Sequence, residues 1–205
     1  MQGTLFDANS TQPETIHLEN GELLFYPQWL QGVKADLYFS LLLRQVAWDQ
    51  SIITIAGKQI KIPRLNAWYG DENSHYRYSG ADFAPLAWIR SLDVLRARLR
   101  MTLSRSFNSA LINLYRDGND SVAWHADDEP ELNKHAFIAS LSLGAKRRFL
   151  LKRRDGSESL KLSLESGSLL LMLPPLQQHW LHALPKTRAE IGGRINVTFR
   201  NVIVQ

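Results

Sequence analysis

The sequence predicts a mainly β chain of the α+β class, a double-stranded β-helix (jelly roll) buttressed by two N-terminal helices. Three observations predict it. From Leu111 onward, eight short alternating segments follow one another with no helical stretch between them. Turn residues punctuate them at Arg116-Asp117-Gly118-Asn119, Leu143-Gly144, Asp155-Gly156 and Ser166-Gly167. Upstream, two stretches carry apolar residues at three- and four-residue intervals, the mark of helices with one buried stripe.

Residues 1–20 are polar and contain Pro13, which predicts a loose N-terminal arm; 21–205 then form a single domain. Gly21–Leu30 reads as a short strand against the body. Ala35–Trp48 reads as the first helix, with Leu37, Leu41, Leu42, Ala47 and Trp48 on its buried stripe. Residues 51–82 read as a lid. Within it, Ile53 and Ile55 alternate into Ala56-Gly57-Lys58, and Ile60 and Ile62 alternate out, a hairpin with Gly57 at the turn. The aromatics of PRLNAWYG and HYRYSG, interleaved with Arg64 and Arg77, predict a loop platform that either stacks on a base or packs as a β-rich cover. Pro85–Leu103 is the second helix, with Arg90, Arg96, Arg98 and Arg100 on its solvated side.

The jelly-roll core runs over about 107–205, with strands at Leu111–Tyr115, Val122–Asp127, Phe137–Leu143, Arg148–Arg153, Leu160–Leu164, Ser168–Leu173, Trp180–Leu184 and Arg194–Val204.

Composition narrows the chemistry. The 205 residues are 44% hydrophobic and 21% charged, an ordinary soluble composition for one domain. There is no cysteine, so disulfides and thiolate metal sites are excluded, and any metal must be held by His and carboxylate. The longest apolar run, Leu169–Leu173, is too short to span a bilayer, and Met1–Pro13 lacks the basic start and apolar stretch of a signal peptide, so no membrane partner and a cytoplasmic location are expected. The net charge is +4, and Lys146-Arg147-Arg148 and Lys152-Arg153-Arg154 bracket Phe149-Leu150-Leu151. Such basic loops suit either a phosphate backbone or a protected sheet edge.

The chemistry-bearing residues cluster on alternating positions. His125 and Asp127 are two apart, so an extended segment sends both to one face, and a second imidazole from a distant strand would complete a two-His, one-carboxylate set with open positions. HWLH offers two candidates, His179 and His182. Arg194, Asn196 and Arg200 share one face of the last strand, opposite Ile195, Val197 and Phe199; Asn113 and Tyr115 share one face of theirs. Two arginines suit the two ends of a dianion, each by charge-assisted hydrogen bonds.

These residues, with PRLNAWYG, INLYRDGNDSVAWHADDE, ASLSLGAKRRF, HWLHALP and GRINVTFR, resemble the AlkB family of Fe(II)/2-oxoglutarate dioxygenases from about Pro63 to Val202. YRDGNDSVAWHADDEPEL and PRLNAWYG look most like the member acting on single strands, RNA included. The resemblance implies Fe(II) held by His125, Asp127 and His182, the last selected because the family ligand lies three residues before Pro185. It implies 2-oxoglutarate held at its distal carboxylate by Arg194 with Tyr115, and at its chelating end by Arg200 with Asn113, Asn196 lying nearby. O2 is the remaining co-substrate. It further implies that Tyr78 stacks the modified base against His125, that Tyr76 and Trp68 shape the lid, and that Glu129, beside Asp128, meets the exocyclic amine.

The expected reaction is oxidative removal of methyl groups from ring nitrogens, as in 1-methyladenine or 3-methylcytosine, by a monomer. Ala56 stands where the duplex-acting relative carries an aromatic wedge, which favours single-stranded DNA or RNA. The competing readings are a metal-binding jelly roll without oxidative chemistry, a nucleic-acid-binding module without catalysis, and an oxygenase of a protein or lipid substrate.

Overall fold

In a computed structural model the described residues are 12–55, 57–74, 76–78, 81–129, 132 and 137–203, with 55, 76–78 and 81–83 described as backbone. The chain begins with β1 (Glu14–Leu18) and β2 (Gly21–Tyr26), then α1 (Gly32–Gln45), β3 (Ile52–Ile55), β4 (Lys58–Lys61) and β5 (Leu65–Gly70). Next come β6 (Tyr76–Tyr78), β7 (Ala81–Phe83) and α2 (Arg90–Leu103). The remaining elements are β8 (Ser109–Tyr115), β9 (Val122–His125), β10 (Ile138–Gly144), β11 (Arg147–Arg153), β12 (Ser159–Leu164), β13 (Leu169–Leu173), α3 (Leu176–His179), β14 (Trp180–Leu184) and β15 (Arg194–Arg200).

Two antiparallel sheets face each other, as the strand pattern predicts: seven strands in the order β1-β2-β13-β10-β15-β8-β5, and four in the order β12-β11-β14-β9. Alternation along each strand of the large sheet divides its side chains between two interiors. Ala139, Leu141 and Leu143 of β10, Ile112 and Leu114 of β8, and Ile195, Val197 and Phe199 of β15 pack on the helix side with Leu42 of α1 and Leu92, Leu95 and Leu99 of α2. The opposite positions face the small sheet, where Ile138, Leu170 and Met172 meet Phe149, Leu151, Leu164 and Leu184. The polar exceptions to this second interior form the site.

Several expectations change. The loose arm ends sooner than the sequence suggests: Glu14–Leu18 pairs along its whole length with β2, while residues 1–11 lie outside the described residues. The first helix is shifted towards the N-terminus and buries Ala35 and Leu42, leaving Leu37 53% exposed; Val46 turns extended and stops it. The second begins at Arg90 because Leu86 bonds to the backbone of β5 instead, donating to Trp68 O at 2.9 Å and accepting from Gly70 N at 3.1 Å. PRLNAWYG is no loop: Leu65–Gly70 adds a strand beside β8 and buries Ala67 and Tyr69. The hairpin β3–β4 forms, with Gly57 at φ +77°. Ala56, the expected wedge position, lies outside the described residues.

Candidate metal and co-substrate site

The small sheet places both imidazoles. In the β14–β9 ladder, His182 stands directly across from His125, and their ring centroids lie 4.3 Å apart. A register shift follows before Leu184 pairs with Val122. This irregularity aims both Val122 and His125 into the interior, although they are three residues apart. The strand was expected to continue through Asp127; it stops at His125, and a bend at Asp127 brings the carboxylate in. One donor atom from each of His125, Asp127 and His182 falls within 4.8 Å of the others. His179 ends α3 and is not part of this group; of the two histidines in HWLH, His182 is the one that joins His125 and Asp127.

The protonation states suit a cation. Nδ1 of His125 lies 2.9 Å from the Ala123 carbonyl, a contact in which Nδ1–H donates and Nε2 is the ring nitrogen turned to the other two residues. Burial depresses the His182 pKa to about 3, keeping the ring neutral. Burial opposes ionisation of Asp127, but Arg200 and the two histidines outweigh it and hold the carboxyl below its ordinary value. Arg200 Nη2 donates to Asp127 Oδ1 at 2.7 Å. Two imidazoles and a carboxylate converge here, Asp127 and His182 buried and His125 partly open to solvent, and this is a fitting donor set for Fe(II).

The large sheet supplies the floor. Arg194 faces Tyr115 across the β15–β8 ladder, and Asn196 faces Asn113. Arg194 is 2% exposed, gives one hydrogen bond to Ser142 Oγ at 2.9 Å, and leaves its buried Nε without a partner. Burial pushes its pKa down to about 10, with Tyr115 opposing. Its described partners are the neutral Ser142 and Tyr115, so this buried cation suits a bound anion. Arg200 Nε is likewise buried without a partner. A small dianion fits this pair of guanidinium groups.

Asn113, Tyr115, Asn196 and both arginines line the same cavity as the three metal-capable residues. Asn196 is held by Ser140 Oγ at 2.8 Å and Leu141 O at 3.0 Å. Asn113 is not paired to Arg200; its Oδ1 accepts from Arg64 Nε at 2.9 Å. Arg64 lines both this cavity and an outer cleft; the sequence reading set it only in the aromatic platform and not beside Asn113. Ser140 and Ser142 were also missed. Their signal was present: two polar residues at period two in the otherwise apolar ASLSLG.

The outer cleft, about 470 Å³, is lined by Trp68, Glu129 and Arg200. Glu129 Oε2 is buried without a partner, and burial, aided by Asp127, raises its pKa against the opposing pull of Arg200. Asp128 turns elsewhere, into an ion pair with Arg154 at 2.5 Å, so the structure does not gather it with the other expected substrate contacts. β6 sets Tyr76 and Tyr78 opposite Phe83 and Ala81 of β7, but their side chains lie outside the described residues.

Comparison with known proteins agrees with this geometry. The sequence profile of the 2OG-Fe(II) oxygenase superfamily matches residues 9–200. DNA oxidative demethylase ALKBH2 of Mus musculus is 35% identical over 203 residues, 93% of this chain and 85% of that protein. ALKBH2 of Bos taurus is 36% identical, covering 83% of this chain and 65% of its own length. Alpha-ketoglutarate-dependent dioxygenase alkB homolog 3 of Homo sapiens is 36% identical over 86% of this chain and 65% of its own. The chain thus spans just under two thirds of several of its relatives. The solved structure of OsALKBH1 shares the fold at 16% identity, with TM-score 0.67 over 92% of this chain and 100% of that one. The chain belongs to the 2OG-Fe(II) oxygenase superfamily and, within it, to the AlkB family. That superfamily works with Fe(II), 2-oxoglutarate and O2. No helix among the described residues is long and apolar enough to cross a membrane.

Proposed function

We propose that the protein removes N-methyl groups from nucleic-acid bases, with 1-methyladenine and 3-methylcytosine as the substrate type and single-stranded DNA or RNA preferred over duplex. The observation that carries the reading is Glu129, a carboxyl with one buried, unpartnered oxygen (Oε2) in the cleft that shares Arg200 with the metal-capable cavity. A base entering beside it would find an acceptor for its exocyclic amine, and the base's positive charge would find a carboxyl. The names of the relatives, DNA oxidative demethylase and alpha-ketoglutarate-dependent dioxygenase, support the same chemistry.

In this reading His125, Asp127 and His182 hold Fe(II), which with 2-oxoglutarate and O2 supplies the oxidising power to hydroxylate the N-methyl carbon, yielding succinate, CO2 and finally formaldehyde. Arg194 with Tyr115 grips the distal carboxylate, and Arg200 orients the other end while holding Asp127 in place. Asn113, fixed by Arg64, and Asn196, fixed by Ser140, set the polar walls. Phe149, 5.4 Å from the His182 ring, keeps water from that side. The chain's share is orientation of the methyl group and exclusion of solvent.

A monomer suffices for this arrangement, since every named residue comes from one chain. Methylated single strands, duplexes and RNA incubated with the protein, iron and 2-oxoglutarate test the proposal by mass spectrometry. Methyl loss with formaldehyde from single strands is the expected result; 2-oxoglutarate turnover with none of the three demethylated would point to a substrate other than nucleic acid.

A further inference from the structure

Asp127 lies beyond the end of β9, so the sheet ladder does not fix the carboxylate that the metal needs. What holds the bend is α3. The backbone N–H of Asp127 donates to Gln177 Oε1 at 3.0 Å, across fifty positions of sequence. Gln177 Nε2 turns to Met172 Sδ at 3.3 Å, which agrees with Oε1 as the atom facing the N–H. The adjoining residue is tied to the same place: Arg154 Nη2 donates both to Asp128 Oδ2 at 2.5 Å and to the Gln177 carbonyl at 3.2 Å. Gln177 therefore meets the 127–128 dipeptide through its side chain directly and through its carbonyl by way of Arg154.

The support beneath Gln177 is rigid. Its neighbour Leu176 and the first residue of β14, Trp180, are each 1% exposed, and Trp180 Nε1 donates to Glu19 O at 2.9 Å. His182 follows two residues after Trp180 on the same strand. The segment that carries one imidazole thus also carries the group that places the carboxylate.

The geometry points to Gln177 as a positioning residue for the metal centre, setting where Asp127 stands relative to His182. It touches none of the three donor atoms; it acts through the ligand's backbone. The inference rests on the His125/Asp127/His182 reading of the metal site. If Gln177 only satisfied a backbone N–H, its loss would lower the melting temperature and leave metal affinity alone. A positioning role makes a different demand: metal affinity must fall by more than stability does, on the order of tenfold, as when groups that orient metal ligands are removed.

The test titrates Mn(II) into metal-free full-length protein and records the melting temperature without metal alongside. Gln177→Met, similar in length but unable to accept a hydrogen bond, is expected to weaken Mn(II) binding about tenfold, while Gln178→Met, on the same turn but exposed, leaves it unchanged. Gln177→Glu retains an acceptor oxygen and is expected to recover most of the loss. Equal Mn(II) affinity in Gln177→Met and Gln178→Met overturns the inference, as does a loss in Gln177→Met that Gln177→Glu leaves uncorrected. His182→Ala serves as the reference: if it binds Mn(II) as tightly as the unmodified protein, the metal-site reading itself fails, an outcome separate from failure at Gln177 alone.

Discussion

The strand β10 and the hairpin β3–β4 both draw on alternating apolar residues, yet they end in opposite circumstances. Ile138–Leu143 of β10 is buried at every position, between two strands and between two interiors. All four residues of β4 are exposed, Ile60 at 44%, and its partner strand leaves Ile52 54% exposed. The large sheet over-determines where each side chain stands, and it carries the charged groups that must not move. A two-stranded hairpin has only marginal stability of its own. Under the proposed function, substrate contacts at this hairpin would let the outer surface change without disturbing the floor.

Mutations on each side can break or sharpen this contrast. The largest expected effect is at Asp127→Ala, which should reduce formaldehyde release to background while oligonucleotide binding by gel shift stays near normal. Retained turnover would show that the carboxylate is no metal ligand. Next is Arg194→Met. Removing one partner of a buried, charge-assisted contact costs several kcal/mol, so the KM for 2-oxoglutarate should rise roughly 100-fold with little change in Mn(II) affinity. An unaltered KM would move the co-substrate elsewhere.

The third effect is on stability. His182 has a folded pKa near 3 against 6.5 for the free side chain, so between those values the unfolded chain binds the extra proton. Stability contributed by the neutral ring is complete above pH 6.5 and lost as pH falls towards 3, at about 1.4 kcal/mol per unit for one proton. Urea melts of the metal-free protein should display this slope, and His182→Gln should flatten it by one proton. The smallest effect is at the lid: Ala56→Phe should raise duplex activity relative to single strands a few-fold, and a fixed ratio would mean the hairpin does not enter the helix.

Much of the floor was legible because burial and alternation coincide there. Strands β8 to β14 fell within two residues of their predicted bounds, β15 ended at Arg200 where Val204 was expected, and the arginine-bearing face of GRINVTFR did turn to the site. The errors lie where tertiary pairing overrides local pattern. Leu86 completes a helical stripe in sequence but serves as a strand partner in space, and PRLNAWYG, aromatic and bounded by Pro63 and Gly70, looked like a loop until β8 offered it an edge. Within the site, His125 and Asp127 were correctly placed together for a partly mistaken reason, since a bend, not strand periodicity, joins them. Arg64 and Gln177 were invisible as site residues because their roles are hydrogen bonds to groups 49 and 50 positions away, which no local spacing encodes.

Because the two imidazoles share one rung between β9 and β14, the metal-capable pocket inherits its alignment from strand pairing. A slip of a single residue would swing His182 to the outer surface and bring Leu181 or Ala183 inward. A mis-threaded copy would then be inert, not merely sluggish. With His125, Asp127 and His182 as the ligands, uptake of metal would report on folding, being open only to chains whose strands have zipped in the right phase.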